Sequence, residues 1–95
     1  MKLVKVERSS RSSKKYVATF KIDGKTKEIH FGSATSKTYL DHHDTKKREN
    51  YIKRHAVREN FNDPLTAGSL SKHLLWGRTT SLAENIKLFK TRFNL

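Results

Sequence analysis

The sequence predicts an α+β fold in which a three-stranded antiparallel sheet is followed by three helices packed on one of its faces. Residues 1–32 alternate apolar and polar side chains around the turn dipeptide Asp23-Gly24, a pattern typical of strands. Residues 44–93 instead space their apolar side chains three and four apart, as helices do. Because the chain has only 95 residues and no cysteine, we expect one domain with a thin core and no disulfides.

The dipeptide Asp23-Gly24 favours a two-residue turn with positive φ at both positions, which places Ile22 opposite Lys25. Residues 1–8 are expected to add the third strand. The pairing predicts one buried face, formed by Tyr16, Ala18, Phe20, Ile22, Ile29 and Phe31. It predicts a wet face formed by Val17, Thr19, Lys21, Thr26, Glu28 and His30.

The first predicted helix begins after a cap at Asp44 or Asp41 and ends near Asn60. Residues 33–43, which precede it, show no sustained period and are expected to form a connector. At 100° per residue this helix carries a cationic arc about 140° wide. The arc consists of Lys46, Lys47, Lys53, Arg54 and Arg58.

The second predicted helix runs from about Leu65 to Trp76, with Gly77 expected in a left-handed C-terminal cap. The third begins with a capping box of Ser81 and Glu84. Its apolar stripe consists of Leu82, Ile86, Phe89 and Phe93. Its outer face is predicted to show Asn85, Lys90 and Arg92.

The charge of the chain indicates a polyanionic partner. Lysine and arginine number 21 against 9 acidic residues, a formal net charge of +12 that exceeds what solubility requires. Nucleic acid is the first candidate, DNA before RNA, and we expect the surplus cations to be gathered on one side of the globule. The alternative is a basic surface that is merely solvated.

The cationic arc of the first helix is the leading nucleic-acid-binding site, because lysine and arginine both contact phosphates and release counterions. The loop Ser9–Lys15 supplies a secondary set, namely Arg11, Lys14 and Lys15. Either set could instead be an ordinary solvated surface. Residues 65–93 also have the outline of a helix-turn-helix unit, but two scaffold helices are the commoner explanation. Trp76 is expected to cover the core rather than to stack on bases.

Enzymatic chemistry finds little support in the residue pattern. The histidines at 42, 43 and 55 lie near acidic residues, and His55 and Glu59 are one helical turn apart, which is a usable metal-ligand spacing. His55 nevertheless shares an arc with Tyr51, so a half-buried histidine is the simpler interpretation. We therefore predict a protein that is not an enzyme and needs no metal or cofactor. No apolar stretch suits a membrane span or signal peptide, so we expect it not to be secreted.

Several motifs occur in an order that resembles a known family. They are Lys15-Tyr16-Val17-Ala18, His30-Phe31-Gly32, Tyr51-Ile52-Lys53-Arg54-His55, Asn62-Asp63-Pro64-Leu65, Leu75-Trp76 and Lys90-Thr91-Arg92-Phe93. Over residues 15–93 the chain resembles small, basic, uncharacterised proteins encoded by large double-stranded DNA viruses of algae and protists. The resemblance implies a viral product found in the virion or in the host cytoplasm or nucleus. It implies a role against packaged DNA or, alternatively, a minor capsid or core component that bridges acidic virion proteins.

Overall fold

A computed structural model describes residues 1–95. The chain forms β1 (Lys2–Arg8), β2 (Lys14–Ile22), β3 (Lys25–Ser33), α1 (Tyr39–His42), α2 (Thr45–Ala56), α3 (Ala67–Leu70), which continues as a π-helical turn (Ser71–Leu75), and α4 (Leu82–Phe93). The strands are antiparallel in the order β1-β2-β3. The predicted α+β fold is therefore confirmed. No helix is long and apolar enough to cross a membrane.

The β2–β3 hairpin has the predicted turn and register. Asp23 and Gly24 have φ angles of 50° and 80°, and Ile22 pairs with Lys25. In β1 the register shifts between Leu3 and Lys5, which is the signature of a bulge. The extra residue keeps Leu3 on the buried face of the sheet.

The core lies between the sheet and the C-terminal helices. It consists of Leu3, Ala18, Phe20, Phe31, Leu70, Leu74, Leu75 and Phe89. The predicted wet face is wrong at two positions, because Val17 and Thr19 are only 4% and 7% exposed. Both belong to the central strand, where neighbours on either side cover them: Glu7 of β1 and His30 of β3 stand opposite Val17.

The connector predicted between sheet and helices contains the short helix α1. The Thr38 backbone N–H donates to the Asp41 carboxylate at 2.7 Å, and this hydrogen bond lowers the pKa of Asp41. His43 ends α1 in a left-handed conformation with φ 54°. Asp44 then caps α2 by accepting the N–H groups of Lys46 and Lys47. Each of the two predicted cap residues thus serves its own helix, and α2 ends at Ala56 rather than near residue 60.

The second predicted helix is shorter and ends differently from expectation. Thr66 caps α3, and the Trp76 N–H donates to the Ser71 carbonyl, five residues back, at 3.1 Å. This π-helical turn lets the consecutive residues Leu74 and Leu75 both enter the core. Gly77 does not adopt the predicted left-handed conformation. A Cβ there would instead overlap the His73 carbonyl, so close packing requires the glycine.

Ser81 caps helix α4, since its Oγ accepts the Glu84 N–H at 3.3 Å. The predicted capping box is incomplete, because the Ser81 N–H donates to Thr79 Oγ1 at 3.1 Å and not to the Glu84 side chain. Asn85 is not on the outer face: it is only 1% exposed. Its Nδ2 donates to the carbonyls of Leu74 and Thr79 at 3.0 and 2.9 Å. Its Oδ1 accepts from the backbone N–H and the hydroxyl of Thr79. Asn85 therefore fastens the turn that joins the π-helical segment to α4.

Candidate nucleic-acid interface

A cleft of about 610 Å³ lies between the C-terminal end of β3, α2 and Trp76. Its cationic lining residues are Lys37, Lys47 and Arg54, and no carboxylate lines it. A second cleft of about 370 Å³ adjoins it, sharing five lining residues and adding Lys14 and Glu59. We refer to the two together as the groove. The groove is a concave surface with four cations and one acid.

An aromatic stack forms one wall of the groove. The Tyr51 ring lies 4.2 Å from the Trp76 ring, nearly parallel at 4°, and 4.1 Å from the His55 ring. Two rings this close to a third must lie on its opposite faces, so Tyr51 is enclosed. Burial, and then the charge of Glu59, raises the pKa of Tyr51 to about 12. The predictions of a half-buried His55 and of Trp76 as core cover are confirmed.

Helix α2 is held against the rest of the molecule mainly by one arginine and the aromatic stack. Arg48 Nε donates to the carbonyls of Trp76 and Gly77, at 3.1 and 2.7 Å. The same guanidinium lies 5.7 Å from the Tyr39 ring centroid. No residue of α2 is fully buried. The remaining cations of the helix therefore stay at the surface.

The structure separates the predicted binding residues into groups. Lys47 and Arg54 line the groove, and Lys14 lines its adjoining part. Lys46 and Lys53 are exposed on the outer side of α2, about 100° around the helix axis from the other two. The exposed residues Arg58 and Arg11 lie outside the groove, beyond the end of α2 and in the β1–β2 loop.

Lys15 differs from the other predicted binding residues because its charge is already engaged. Its ammonium donates to the Ser36 carbonyl and lies 3.9 Å from the Asp41 carboxylate. Only 19% of its side chain is exposed. Lys15 therefore fastens the start of β2 to the α1 region and has little charge left to offer a ligand.

Most of the basic excess has no acidic partner within the chain. The structure contains two salt bridges, Lys5–Glu7 and Lys15–Asp41. Asp44 and Asp63 accept backbone N–H groups instead of pairing with lysine or arginine. The cations are not confined to one side, however, since the sheet also exposes Lys2, Lys5, Arg8, Lys21, Lys25 and Lys27. A binding site must therefore be argued from the groove and not from total charge.

Sequence reasoning missed Lys37, which lines the groove. It is a single lysine in a segment without periodicity. Its place depends on the segment 34–38 between β3 and α1, in which Thr38 is only 4% exposed. No local pattern in the sequence could have indicated this position.

The histidines proposed as metal ligands do not converge. No group of three or more histidine, aspartate or glutamate side chains is close enough to hold a metal ion. His42 Nδ1 accepts the Asp44 N–H at 3.0 Å, and His43 Nε2 lies 3.1 Å from the Leu40 carbonyl oxygen. These two rings take part in local structure at the C-terminal end of α1.

A serine–histidine contact that sequence reasoning did not find joins the β1–β2 loop to β3. Ser9 Oγ accepts the Arg11 N–H and lies 2.6 Å from His30 Nδ1. The pair does not line the groove, and no carboxylate bonds to the His30 ring. Without a carboxylate to orient the ring, the pair does not form a catalytic triad, and the contact fastens the loop to β3.

Comparison with known proteins gives a family but no activity. No curated protein and no solved structure matches the chain. One family model, described as a family of unknown function (DUF5754), matches residues 4–55. The matched segment covers most of β1, all of β2, β3 and α1, and nearly all of α2. It includes the groove cations Lys14, Lys37, Lys47 and Arg54. Since the match extends over more than half of the 95 residues, the chain belongs to this family of unknown function.

Proposed function

We propose that the protein is a non-catalytic nucleic-acid-binding protein that holds the phosphate backbone of DNA in the groove, without sequence preference. The observation that carries the proposal is a concave surface lined by Lys37, Lys47 and Arg54 in which no carboxylate offsets their charge. Lys14 extends the same surface toward the start of β2.

The residue types suit a phosphate ligand. Arginine can place two N–H groups on one phosphate, and lysine supplies a compact charge. Lys46 and Lys53, on the exposed side of α2, add attraction for the phosphates that flank the groove. Such contacts position a duplex without reading its sequence.

Two features favour backbone contact over base contact. The Tyr51 ring is covered on both faces by Trp76 and His55, so it offers no free surface on which an unpaired base could stack. The side-chain amide of Asn85 is fully hydrogen-bonded to Leu74 and Thr79, so Asn85 cannot contact a base edge from the start of α4. Duplex DNA is therefore the preferred ligand over single strands.

The expected salt dependence follows from the number of phosphates contacted. If the four groove cations each neutralise one phosphate, the slope of log K against log salt is about −3.6. Affinity should then fall roughly 150-fold between about 50 and 200 mM salt. Binding that is insensitive to salt would contradict the proposal.

The test is fluorescence anisotropy with a labelled duplex of about 20 base pairs over that salt range. The groove variant K47A/R54A should reduce the magnitude of the slope by about two, because two phosphate contacts are lost. The matched control K25A/K27A removes the same charge from the hairpin turn and should leave the slope unchanged. Equal effects of the two variants would show that binding is not at the groove.

A parallel titration with polyglutamate separates DNA binding from the bridging of acidic virion proteins that the family resemblance also implies. We expect DNA to bind more tightly than polyglutamate at the same salt concentration. A guanidinium can donate two hydrogen bonds to one phosphate, and the regularly spaced phosphates of a duplex can lie along the groove. Tighter binding of polyglutamate would favour the bridging role and count against the DNA proposal.

A further inference from the structure

A separate cleft of about 400 Å³ lies between α2, the π-helical turn and α4. Four cations line it, one each from α2, the π-helical turn, the 77–80 turn and α4: Arg48, Lys72, Arg78 and Arg92. None of its ten lining residues carries a carboxylate. We call this cleft the cation pocket. Sequence reasoning did not single it out.

The cations of the pocket are held in place by neutral groups. Arg48 donates to two backbone carbonyls, and Arg92 Nη2 donates to Asn62 Oδ1 at 2.8 Å. The Lys72 ammonium lies 5.6 Å from the Phe61 ring centroid. Neither these three residues nor Arg78 forms a salt bridge. The structure therefore positions three of the four positive charges, beside the exposed Arg78, and neutralises none of them.

Gathering these charges is unfavourable in the free protein. Burial lowers the pKa of Lys72, and the nearby charges of Arg48, Arg92 and Arg78 lower it further. Burial also lowers the pKa of His73, on the wall of the pocket, with smaller contributions from Lys72 and Arg92. An anion in the pocket would relieve this repulsion, so binding would be coupled to the protonation of both groups.

The cation pocket contains hydrogen-bond donors that have no partner within the protein, and it is large enough for more than one phosphate. The Nη groups of Arg48, the guanidinium of Arg78 and the ammonium of Lys72 make no hydrogen bond within the protein. At about 30 Å³ per water, the cleft holds on the order of a dozen waters. That space accommodates a short phosphate chain, whose oxygens match the arginine forks.

We propose that the cation pocket binds a compact, multiply charged phosphate group, a diphosphate or triphosphate, held by Arg48, Lys72, Arg78 and Arg92. The groove suits the continuous backbone of a nucleic acid, which carries one negative charge per phosphate. The cation pocket instead gathers four positive charges in one small cleft. The proposal is thus independent of DNA binding in the groove. The ligand is either a free phosphate chain or the phosphorylated end of a nucleic-acid strand, which share this chemistry.

The first test is calorimetric titration of the full chain with inorganic tripolyphosphate at about 150 mM salt, where weak surface attraction is screened. We expect one saturable site. Arg78→Ala and Lys72→Met should each weaken binding at least about tenfold, because each removes a charge-assisted contact. Arg78 is exposed, so its removal spares the fold. The groove variant K47A/R54A removes more charge and should retain the affinity.

A second readout comes from the His73 ring, followed by NMR. Bound tripolyphosphate should raise the pKa of His73, since the anion offsets the charges of Lys72 and Arg92. His30, on the opposite face of the sheet, serves as the control and should not respond. A titration without saturation, equal affinity in R78A and wild type, or an unmoved His73 would overturn the proposal.

The two sources of the phosphate are separated with oligonucleotides that carry a 5′-triphosphate or a 5′-hydroxyl. A strand end as the ligand requires the 5′-triphosphate form to bind more tightly than free tripolyphosphate and to lose that advantage in R78A. Equal affinity for the two triphosphates would assign the pocket to free phosphate chains. Loss of duplex binding in K47A/R54A, with tripolyphosphate binding intact, would separate the groove from the pocket.

Discussion

The groove and the hairpin turn of β2 and β3 are both cationic, but they present their charge differently. The hairpin turn exposes Lys21, Lys25 and Lys27, and none of these lysines lines the groove or the cation pocket. At about 3.3 Å per residue, Lys25 lies roughly 26 Å along β3 from Ser33 at the groove. Of these two regions only the groove is a cleft, so we expect the shape of the surface, and not charge alone, to decide where a polyanion binds.

Charge reversal should give the largest difference in duplex affinity between the groove and the hairpin turn. K47E/R54E and K25E/K27E each lower the formal net charge from +12 to +8, since two cations become two anions (12 − 4 = 8). Direct repulsion of phosphates in the groove should cost about a thousandfold in duplex affinity, against less than about tenfold for the hairpin variant. Fluorescence anisotropy at low salt measures both. Equal losses would mean that only net charge matters.

Asn85 tests how far the turn between the π-helical segment and α4 depends on one buried side-chain amide. Asn85→Ala removes hydrogen bonds to Leu74 and Thr79 and leaves buried carbonyls without donors. We expect a loss of about 3 kcal/mol in the free energy of unfolding, measured with urea. The exposed Asn50, replaced by alanine, is the control and should change stability little. A loss below about 1 kcal/mol would contradict the account of the turn.

Two glycines should respond to alanine according to their region. Gly24, at the hairpin turn, has φ 80° but open space around it, so Gly24→Ala should cost about 1 kcal/mol of backbone strain. Gly77 faces overlap with the His73 carbonyl and with Asn85, so Gly77→Ala should cost more. Duplex affinity should survive only the change at Gly24. Thermal unfolding measures the two stability losses, and fluorescence anisotropy measures duplex affinity. A larger loss for Gly24→Ala than for Gly77→Ala would contradict the role of close packing at Gly77.

Tyr51 gives the groove a titration signal that the hairpin turn lacks. Its pKa is raised to about 12, so the stability it contributes is complete below about pH 10 and is lost as pH rises toward 12. Near-ultraviolet absorbance should show a late-ionising tyrosine component, and Tyr51→Phe should remove it. Tyr16→Phe and Tyr39→Phe should leave it in place. If the late-ionising absorbance component persists in Tyr51→Phe, the Tyr51 ring is not enclosed between Trp76 and His55 as described.

The parts of the fold that the sequence predicted correctly are encoded locally. Asp23-Gly24 determines the turn and with it the register of β2 and β3. Ser81 and the apolar stripe that follows determine α4. Helix α1 escaped prediction because a helix of four residues has no period to detect.

The parts that could not be predicted depend on residues distant in sequence. Arg48 reaches the Trp76 carbonyl across 28 positions, and the cations of the pocket come from four separate segments. Gly77 looked like a helix cap because a glycine follows the last apolar residue, but tertiary packing decides its role. Among the cations of the proposed binding site, the sequence indicated the helix that carries Lys47 and Arg54, but not which of its cations face the groove.

The most direct test of the groove as the nucleic-acid site is protection of lysines from acetylation by bound duplex DNA, read by mass spectrometry. All the lysines compared are exposed in the free protein. We expect bound duplex to protect the groove lysines Lys14, Lys37 and Lys47 from acetylation. The hairpin lysines Lys21, Lys25 and Lys27 should react as fast as they do in the free protein. Equal protection in both regions, or protection of the hairpin lysines alone, would contradict it.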